Sequence, residues 1–588
     1  MMSKIRLEID DCRRLTGENF FWKFPGAVID AWVQGIDKNE VVNRWQYFAR
    51  VLLDRVGWVQ ERTITRIFEN GVSVALSAPI DALYAATEIN ECAWQLACAE
   101  LENEFNLPVI HKEKPSLESM IEQLNNDIAN EVNPALLSLV SLAEGHGAPC
   151  LFDDDEFSLG YGASAQVWPI TSLPAIEDIH WKDFRRVPTV YVTGTNGKST
   201  TVRLTSAIMT EAGVNCGVTS TDFIRVGQTI IDTGDYSGPG GARTLLRHPE
   251  AEMALLEVAR GGLLRRGLPI PSVDVALVTN IADDHLGQYG INTLEALTQA
   301  KCIVAKALDE DGTLILNADD DNLIKYAVSI PSDNVSKGKD GSNNEASVNI
   351  SQKNICWFSL KKDNPIFQKH SGDRCYLDEE TMIFERNGQR FSVAKVTDVP
   401  MCLGGAAKHN IQNALGAIAI AYNLGIPIAA IRKGLMNFNS DANDNPGRGN
   451  IFNYRDATIV IDFAHNVHSM DAMAATWGNI PASKKYLLLC AAGDRKNSEI
   501  ESMTASAMAL KPDYIVAAEL PNYLRGRKPG EISQLIADTA RKTNTKTKII
   551  FSESPLIGAE HIINQIQTGE LALLMALDQR DEIADLLR

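Results

Sequence analysis

The chain has 588 residues, 45% of them hydrophobic, and its formal net charge at pH 7 is −19. This length predicts roughly three or four domains, and the negative charge argues against a general role in binding nucleic acid. The ten cysteines form no Cys-x-x-Cys pair, and no apolar run approaches the ~18 residues of a membrane span. We therefore expect a cytoplasmic protein with reduced thiols, no secretion signal and no membrane partner.

Residues 1–185 form the first predicted domain, a mixed α+β unit. The alternation in residues 71–76 predicts a strand, and residues 82–105 carry apolar residues at helical spacing. Residues 133–162 predict a helix followed by a turn into a strand. The acidic run 153–156 is interpreted as a solvated turn, because adjacent carboxylates cannot all converge on one metal ion.

Strands alternate with helices from residue 186 to residue 440, the second predicted domain. This pattern indicates a parallel sheet covered on both faces. The polar stretch 332–347 is expected to be a loop, and residues 355–399 are expected to form short antiparallel strands of a small β insertion. The predicted strands before that loop are 189–193, 254–257, 273–279 and 313–316.

The third predicted domain, residues 441–588, repeats the alternation of strands and helices. We expect a Rossmann-like α/β unit, so the fold class of the whole chain is α/β. The predicted strands of this domain are 486–491, 514–518, 548–551 and 571–577.

A strand–glycine–helix pattern at residues 189–213 is typical of a phosphate-binding loop. Gly194 and Gly197 permit a sharp turn whose amides face one anion, Lys198 adds a cation, and the Ser199 hydroxyl can bind Mg²⁺. The helix that follows directs its N-terminus at the same anion. Only two residues separate the glycines, so this loop is shorter than the common form. The residues predicted to bind nucleotide are Gly194, Thr195, Asn196, Gly197, Lys198, Ser199 and Thr200.

Two polar residues follow predicted strands close to this loop. Glu257 ends the run Ala-Leu-Leu-Glu, and His285 ends Asn-Ile-Ala-Asp-Asp-His after another strand. Ligands of parallel sheets bind outside the carboxyl ends of the strands. Glu257 and His285 are therefore candidate metal ligands together with Ser199. Each residue alone has the alternative interpretation of a hydrogen-bonded structural group.

Further motifs follow in a fixed order along the chain. They are Leu-Glu-Val-Ala-Arg-Gly-Gly (256–262), Asn-Ala-Asp-Asp (317–320), Lys-His-Asn-Ile-Gln-Asn-Ala (408–414), Pro-Gly-Arg (446–448), Asp-Phe-Ala-His-Asn (462–466) and Gly-Asp-Arg (493–495). With the phosphate loop, this order resembles the Mur ligase superfamily. Thr-Ser-Thr-Asp (219–222), Gly-Asp-Tyr-Ser-Gly-Pro (234–239) and Leu-Arg-Gly-Arg (524–527) are most similar to the Mur-like half of cyanophycin synthetases.

The resemblance implies an ATP- and Mg²⁺-dependent amide ligase. Such enzymes transfer the γ-phosphoryl group of ATP to a carboxylate and then join the acyl group to the amine of an amino acid, which leaves ADP and phosphate. The resemblance implies that Lys301 is carried as a carbamate, with a solvated lysine as the alternative. The implied catalytic residues are Lys198, Glu257, His285, Lys301 and Arg448.

The same resemblance assigns nucleotide contacts outside the loop. Asn410 and Asn413 match residues that contact adenine, whereas Arg448 and Asp462 match residues of the third domain that reach the nucleotide when the domains close. Candidates for binding a carboxylate-rich acceptor also have an interpretation as surface or interdomain salt-bridge residues. These candidates are Asp235, Ser237, Arg243, Arg260 and Arg265.

The N-terminal region resembles that of cyanophycin synthetases at residues 13–19 and 158–162, but the ATP-grasp ligase expected between it and the Mur-like region is missing. A separate ATP-grasp ligase is therefore a possible partner, and the resemblance suggests a homo-oligomer. Phe223 and the segment 520–523 depart from the expected pattern and weaken arginine as the amine. Two alternatives stay open: another Mur-type ligase, acting on a peptidoglycan or folate-like substrate, and a non-catalytic nucleotide-binding partner of an ATP-grasp ligase.

Overall fold

The computed structural model describes residues 5–104, 116–284, 286–328, 350 and 353–588. The predicted loop 332–347 and His285 lie outside these residues. Within them, the chain folds around an antiparallel N-terminal sheet, a small three-stranded sheet, a large central sheet and a C-terminal sheet. Helices of the described part are all too short or too polar to cross a membrane.

The N-terminal sheet has the strand order β1-β2-β4-β3. The predictions of a strand at 71–76 and a helix at 82–105 are confirmed by β4 and α2. Every residue of β4 is buried, because α1 and α2 cover one face of the sheet and the other face joins a hydrophobic core shared with the central sheet. The elements are β1 (Arg6–Leu15), β2 (Gly26–Gln34), α1 (Lys38–Arg55), β3 (Thr63–Phe68), β4 (Gly71–Ser77), α2 (Leu83–Glu104), α3 (Leu117–Glu131) and α4 (Pro134–His146).

The small sheet links this region to the central sheet. The acidic run forms its first turn, as predicted, but the turn is ion-paired rather than simply solvated. Arg247 contacts both Asp153 (2.9 Å) and Glu156 (2.7 Å), and Arg14 contacts Asp154 (2.9 Å). The turn therefore joins the N-terminal sheet to the central region. The strands are β5 (Cys150–Phe152), β6 (Glu156–Leu159) and β7 (Gln166–Pro169).

The central sheet has the order β11-β10-β9-β12-β8-β13-β14-β15-β16-β17-β18. Its six middle strands, β9 to β15 in this order, are parallel as predicted. The elements are β8 (Thr189–Thr193), α5 (Lys198–Glu211), β9 (Cys216–Thr219), β10 (Phe223–Val226), β11 (Thr229–Thr233), α6 (Pro239–Leu246), β12 (Met253–Glu257), α7 (Arg260–Arg266), β13 (Val273–Val278), α8 (Leu294–Cys302), β14 (Leu308–Asn317), α9 (Asp321–Val328), β15 (Asn354–Ser359), α10 (Ile366–Lys369), β16 (Arg374–Asp378), β17 (Thr381–Arg386), β18 (Gln389–Lys395), α11 (Lys408–Asn423) and α12 (Ile428–Asn437).

The strands within 355–399 extend this sheet. Antiparallel pairing holds for β16, β17 and β18. The expectation is wrong for β15, which pairs in parallel with both β14 and β16. The physical reason is that α9 crosses over between β14 and β15, and such a crossover returns the chain in the same direction. The β insertion thus continues the central sheet.

The C-terminal sheet has the order β19-β20-β24-β21-β22-β23 and is parallel except for the hairpin of β19 and β20. All the strands predicted in this region are present. The elements are β19 (Arg448–Tyr454), β20 (Ala457–Asp462), α13 (Val467–Trp477), β21 (Lys485–Leu489), α14 (Asn497–Ala507), β22 (Tyr514–Ala518), α15 (Glu531–Thr543), β23 (Lys548–Ser552), α16 (Pro555–Gln565), β24 (Leu571–Met575) and α17 (Arg580–Asp585).

Candidate functional site

A cavity of about 1150 Å³ lies where the N-terminal, central and C-terminal regions meet. The carboxyl ends of β8, β12 and β13 open into it, as expected for a ligand site on a parallel sheet. Sequence-predicted residues that line it are Gly194, Thr195, Asn196, Gly197, Lys198, Ser199, Thr200, Asp235, Glu257, Arg260, Arg265, Lys301, Asn410, Asn413, Arg448 and Asp462.

The phosphate loop needs glycine at both of its turning points. Gly194 (φ 139°) and Gly197 (φ 87°) adopt backbone angles that other residues rarely accept. A Cβ at Gly194 would overlap the hydroxyl of Thr279, and one at Gly197 would overlap the amide oxygen of Asn413. Gly197 caps α5, which begins at Lys198. The loop is therefore enclosed by neighbouring side chains and directs the helix N-terminus into the cavity.

Hydrogen bonds from the end of β13 fix the loop. The Thr279 hydroxyl donates to the carbonyl of Asn196 (2.6 Å), and the amide of Asn196 donates to the side-chain oxygen of Asn280 (3.0 Å). The amide of Thr195 donates to the carbonyl of Asn280 (2.9 Å). The loop is thus ordered by protein contacts alone, which lowers the entropy cost of holding an anion.

Glu257 is a buried carboxylate without a hydrogen-bond partner. Its side chain ends β12, the residue is 1% exposed, and neither carboxylate oxygen is hydrogen-bonded. Burial raises the pKa of Glu257, although the nearby charge of Lys198 and the adjacent hydroxyl of Ser199 oppose this shift. Burying an unpaired charge is costly. Such a group is suited to a cation, since a bound cation would stabilise it.

Lys301 is also buried, at 5% exposure, and its ammonium donates to the carbonyl of Gly194 (2.7 Å). Burial and then the neighbouring charge of Lys198 hold the pKa of Lys301 well below its ordinary value. The interpretation of Lys301 as a solvated surface lysine is therefore wrong. A lysine in this environment is readily neutral, and the neutral amine is the form that reacts with carbon dioxide.

Asp222 joins the central and C-terminal regions through arginines. It accepts a hydrogen bond from Arg580 of α17 (3.0 Å) and pairs with Arg203 of α5, and Arg448 lies 3.9 Å away. Burial opposes the charge of Asp222, but Arg448, Arg203 and Arg580 outweigh it and lower the pKa to about 2. The carboxylate therefore stays ionised and holds three cations together at the cavity.

Arg448 keeps one nitrogen available at this cluster. Its Nη1 atom is buried and has no hydrogen-bond partner, and burial lowers its pKa to about 10. Its guanidinium stacks on the ring of Phe463, 4.2 Å from the ring centre. In the hairpin Arg448 is paired with Asp462, whose pKa burial raises to about 6 against the opposing charge of Arg448. Both side chains line the cavity, as the sequence predicted.

Further contacts across the cavity hold the regions in a closed arrangement. The side chains of Asn196 in the loop and Asn466, which caps α13, exchange two hydrogen bonds (3.1 and 3.3 Å). Asp284, which follows β13, pairs with Arg495 of the C-terminal region (2.7 Å). These contacts join the central and C-terminal regions on both sides of the phosphate loop.

Asn410 and Asn413 lie one turn apart on α11 and reach the rim of the loop. The side chain of Asn410 donates to the carbonyl of Met401 (2.9 Å), and that of Asn413 donates to Asn410 (3.4 Å). The pair is held in place, with Asn413 directly over Gly197. His409 beside them is half-buried, and desolvation lowers its pKa to about 4.

Of the acceptor candidates, Asp235, Arg260 and Arg265 line the cavity, but Ser237 and Arg243 do not. Ser237 donates to Asp235 (2.6 Å) within a buried turn. Arg243 pairs with Asp153 (3.3 Å) of the acidic turn. Both residues make contacts with neighbouring carboxylates outside the residues that line the cavity.

The sequence did not single out several residues that organise the site. Asp222 belongs to the motif Thr-Ser-Thr-Asp, but the sequence indicated no role for it. The sequence also indicated no role for Arg203, Asn445, Asn466 and Arg580. Asn445 receives a hydrogen bond from Arg203 (3.1 Å). Arg203 lies fully buried on the helix of the phosphate loop. A buried arginine needs an anionic partner. The burial of Arg203 is therefore the observation that points to Asp222.

A second cavity of about 560 Å³ opens beside the first in the C-terminal region. Its lining combines apolar side chains, among them Ile500, Met503 and Leu520, with charged ones, among them Asp283 and Glu499. The residues that line both cavities are Phe463, His465, Asp494, Tyr523, Arg525 and Leu577. The two cavities are therefore adjacent and share these side chains. At their junction Asp494 pairs with Arg525 (2.6 Å) and keeps one buried oxygen unpartnered.

The sequence matches two protein-family descriptions. The Mur ligase middle domain matches residues 192–421, and the domain described as Mur ligase, glutamate ligase domain matches residues 447–576. The first match contains the phosphate loop and Glu257, and the second contains Arg448 and Asp462.

Curated proteins are also similar to this chain in sequence. Cyanophycin synthetases of Geminocystis herdmanii and Crocosphaera subtropica are 33% and 34% identical over 391 and 394 residues, which is 66% of this chain in both cases. The chain spans about two fifths of their length, 41% and 42%. A UDP-N-acetylmuramoyl-L-alanyl-D-glutamate–2,6-diaminopimelate ligase of Caldanaerobacter subterraneus is 23% identical, over 61% of this chain and 67% of that protein.

Solved structures are also similar. One is E. coli FolC in complex with DHPP and ADP, which is 18% identical over 68% of this chain and 88% of that chain, with a TM-score of 0.48.

Proposed function

Because the chain belongs to the Mur ligase superfamily through its middle and C-terminal domains, we propose that it is an ATP-dependent, ADP-forming amide ligase. In the proposed reaction an acceptor carboxylate takes the γ-phosphoryl group of ATP and ADP leaves. The amine of an amino acid then attacks the acyl carbon, phosphate leaves, the amine loses a proton and an amide bond forms. The expected products are one amide, one ADP and one phosphate for each ATP.

One observation carries the proposal: the unpartnered carboxylate of Glu257 lies in the same cavity as the phosphate loop and Lys198. A binding protein for a nucleotide alone needs amides and a lysine. A phosphoryl-transfer enzyme also needs an anion at the strand end to organise a cation between the reacting groups. Glu257 supplies this anion.

The residues present fit Mg²⁺. Mg²⁺ prefers oxygen ligands and keeps several waters while it binds phosphates, and Glu257 and the hydroxyl of Ser199 provide oxygens at the loop. No group of three His, Cys, Asp or Glu side chains within residues 5–104, 116–284, 286–328 and 353–588 is arranged to hold a metal. We therefore propose Ser199, Glu257 and His285 as ligands completed by phosphate oxygens and water. The ion would neutralise charge during phosphoryl transfer.

The protein's own groups would act as follows. Lys198 and the loop amides hold the β- and γ-phosphates. Arg448 offers its unpartnered nitrogen to charge that develops on the transferred group, and Asp222 holds Arg448 in place. Asn410 and Asn413 receive the adenine. Asp235, Arg260 and Arg265 face the acceptor. We propose that neutral Lys301 takes up carbon dioxide and loses a proton, so that it becomes a carbamate anion that would help to organise the proposed metal site.

The second cavity is the proposed entry site of the amine. Asp494 would accept a hydrogen bond from the amine through its unpartnered oxygen, whereas its other oxygen is used by Arg525. The apolar side chains of this cavity would contact the carbon chain of the amino acid, and the carboxylates of Asp283 and Glu499 also line it.

The domain boundaries, the cellular location and the partners are further proposals. We propose domains at 1–185, 186–440 and 441–588, since each contains its own sheet or sheets. A cytoplasmic location, a homo-oligomer and a separate ATP-grasp partner are also proposed. Of the alternatives, another Mur-type ligase differs in its substrates alone, and the non-catalytic role fits poorly with an intact set of phosphate-loop residues.

The test is phosphate release from ATP and Mg²⁺ with a matrix of amino acids and carboxylate acceptors, including poly-aspartate, combined with product mass. Release that requires one pair, with a product one water lighter than their sum, is expected. Lys198→Ala should abolish release, whereas Lys395→Ala, an exposed lysine on β18, should not. Turnover that survives Lys198→Ala overturns the site, and the absence of any active pair overturns the proposed activity of the isolated chain.

A further inference from the structure

Arg580, the first residue of α17, lines the same cavity as the phosphate loop. Neither matched family description includes it, since the second match ends at residue 576. It is one of the three arginines around Asp222, and with Arg448 it is one of the two whose side chains line the cavity. A second arginine of the C-terminal region therefore faces the space beside the phosphate loop.

The chain bends sharply to place Arg580. Gln579 before it adopts a left-handed backbone (φ 59°), which is unfavourable for a non-glycine residue, and its side-chain oxygen accepts a hydrogen bond from the amide of Leu556 (3.1 Å). Gly447 lies against the arginine, because a Cβ at Gly447 would be 2.6 Å from Cδ of Arg580. Unfavourable backbone angles that neighbouring contacts maintain are frequent at functional sites. Local packing thus determines where Arg580 lies.

Arg580 and Arg448 are held by the same two groups. The guanidinium carbon of Arg448 lies 4.2 Å from the centre of the Phe463 ring, and that of Arg580 lies 4.7 Å from it. Arg580 donates to one oxygen of Asp222 (3.0 Å), and Arg448 lies 3.9 Å from the other oxygen. Two guanidinium groups that share one ring and one carboxylate are close enough to contact a single phosphate group together.

Within the described part of the chain, one of the three nitrogens of Arg580 is used in a hydrogen bond. Nη2 donates to Asp222, whereas Nε and Nη1 are not enclosed by protein and remain accessible from the cavity. A guanidinium has five N–H donors in a fixed plane. It can therefore hold a carboxylate along one edge and a phosphate along another.

The two arginines lie at the end of the phosphate loop that carries the proposed Mg²⁺ ligand. The hydroxyl of Thr221, next to the shared carboxylate, lies 3.5 Å from the hydroxyl of Ser199. Asn445, three residues before Arg448, donates to the hydroxyl of Thr200 (3.3 Å). In a phosphate loop the serine at this position binds the metal ion that accompanies the terminal phosphates. The arginines are therefore placed to reach the terminal phosphate rather than the base.

The cluster has more cations than its carboxylate can pair. Arg203, Arg448 and Arg580 share Asp222, and the side chain of Arg203 is fully buried behind it. The nearby carboxylate of Asp462 accepts a backbone amide instead (2.7 Å). Like charges that are close together and shielded from water are unfavourable unless an anion binds among them. The terminal phosphate of ATP is an anion of this kind.

We propose that Arg580 is a catalytic residue that, together with Arg448, binds the γ-phosphoryl group of ATP while this group moves to the acceptor carboxylate. The bond between the γ-phosphorus and the bridging oxygen of ADP breaks and a bond to a carboxylate oxygen forms, while Arg580 keeps its protons and forms no covalent bond. Donors placed where charge develops on the transferred group lower the barrier. The inference deepens the proposed function and rests on it for the transfer, whereas contact with the terminal phosphate can be measured by binding alone.

The first test compares the binding of ADP and of the non-hydrolysable analogue AMP-PNP to the full chain with Mg²⁺, by calorimetry. The wild type should bind AMP-PNP more tightly than ADP. Arg580→Met keeps an unbranched apolar side chain against Phe463 but removes the guanidinium. It should lower the affinity for AMP-PNP about tenfold, as expected for one charge-assisted contact, and leave the affinity for ADP nearly unchanged.

The second test measures kcat with a substrate pair from the matrix described above. Arg580→Met should lower kcat roughly 100-fold, the scale for one donor that stabilises developing charge, with a much smaller change in the KM for the acceptor. Arg580→Lys can replace the ion pair with Asp222, but an ammonium cannot hold a carboxylate and a phosphate along two edges as a guanidinium does. It should therefore keep the wild-type thermal midpoint and still lose most of kcat and of the preference for AMP-PNP.

Arg186 provides the matched control. Its side chain is also partly exposed and pairs with a carboxylate, that of Asp309 (2.8 Å), and it is not among the described residues that line the cavity. Arg186→Met should lower the thermal midpoint, because it loses an ion pair, and should leave kcat and the preference for AMP-PNP unchanged.

The outcomes separate this assignment from the proposed function. Equal affinity of the wild type for the two nucleotides, equal losses of both affinities in Arg580→Met, an unchanged kcat in that variant, or full activity of Arg580→Lys overturns the role of Arg580. Loss of the preference in both Arg580 variants, with no phosphate release by any pair in the substrate matrix, keeps the contact with the terminal phosphate and overturns the ligase activity.

Discussion

Glu257 is a buried carboxylate and Asp222 a half-buried one, and both line one cavity, yet their surroundings are opposite. Glu257 has no hydrogen-bond partner for either oxygen and has a raised pKa. Asp222 contacts arginines of both the central and C-terminal regions and has a pKa of about 2. The difference separates two roles within one cavity. The unpaired carboxylate of Glu257 is available to a ligand, whereas the paired carboxylate of Asp222 connects the central and C-terminal regions.

We expect the largest loss of activity from a substitution of Glu257. Glu257→Gln should lower phosphate release by roughly 10³-fold, the scale for removing one group that stabilises developing charge. Its thermal midpoint should not fall, because the substitution removes an unpaired buried charge. Steady-state phosphate release and thermal unfolding, each with and without Mg²⁺ and ATP, check this.

Glu385→Gln is the matched control, since Glu385 is equally buried but bonds to Tyr376 and pairs with Arg374 and Arg390. This control should lose stability and keep activity. A lower midpoint for Glu257→Gln, together with normal turnover, would mean that Glu257 is structural.

At Asp222 we expect a smaller loss of activity and a clear loss of stability. Asp222→Asn leaves Arg203, Arg448 and Arg580 close together without their anion, which should cost about 3 kcal/mol. Misplacement of Arg448 should lower phosphate release roughly tenfold to a hundredfold. Urea unfolding at neutral pH and steady-state kinetics check these effects.

The acid dependence of stability should change in the same variant. The pKa of Asp222 lies below its ordinary value of 3.8, so its contribution is fully present above that value and is lost as the pH falls towards 2. Asp373→Asn, which breaks a pair with Arg386 away from the cavity, is the control that should lose stability without losing activity. Unchanged stability of Asp222→Asn would show that the arginines do not depend on this residue.

The pH dependence of stability and activity should distinguish Asp462 from Glu257 and Asp222. Its pKa is raised to about 6, so ionised Asp462 makes the folded protein less stable as the pH rises from about 4 to about 6. Asp462→Asn should be more stable than the wild type above pH 6. If the ionised form is required at the nucleotide, wild-type activity should fall up to tenfold per unit below pH 6, and the variant should show no inflection there. A pH profile identical in both proteins would contradict the assignment.

The smallest effect concerns the amide pair across the cavity. Asn466→Ala removes both hydrogen bonds to Asn196 and the cap of α13, which should cost about 1 kcal/mol and raise the KM for ATP a few-fold with little change in kcat. Ser554→Ala removes the cap of α16 away from the cavity and should affect stability alone. An equal change in KM in both variants would show that the pair does not assist nucleotide binding.

The phosphate loop could be predicted from the sequence because its signal is local. A β-branched run, two glycines and a lysine determine the turn and the helix that follows. The parallel strands were predicted for the same reason, since their apolar runs are continuous. Glu257 was identified by its position at the end of such a run.

The remaining parts depend on contacts between distant residues. Asp222 and Arg580 are 358 residues apart, and no spacing pattern indicates that they meet. The parallel pairing of β15 depends on the crossover before it. Arg243 and Ser237 were assigned to substrate because an arginine or a serine in sequence does not reveal that a neighbouring carboxylate already binds it.

The hydrophobic core shared by the N-terminal and central sheets constrains how this protein can evolve. Val28 and Ala75 belong to the same cluster as Ala254 and Ile270, so a change of volume on one side requires an adjustment on the other. The N-terminal region cannot be lost in a descendant without exposing an apolar face of the nucleotide-binding region. We therefore expect the volumes of core side chains in the N-terminal region to change together with those of the central sheet during evolution.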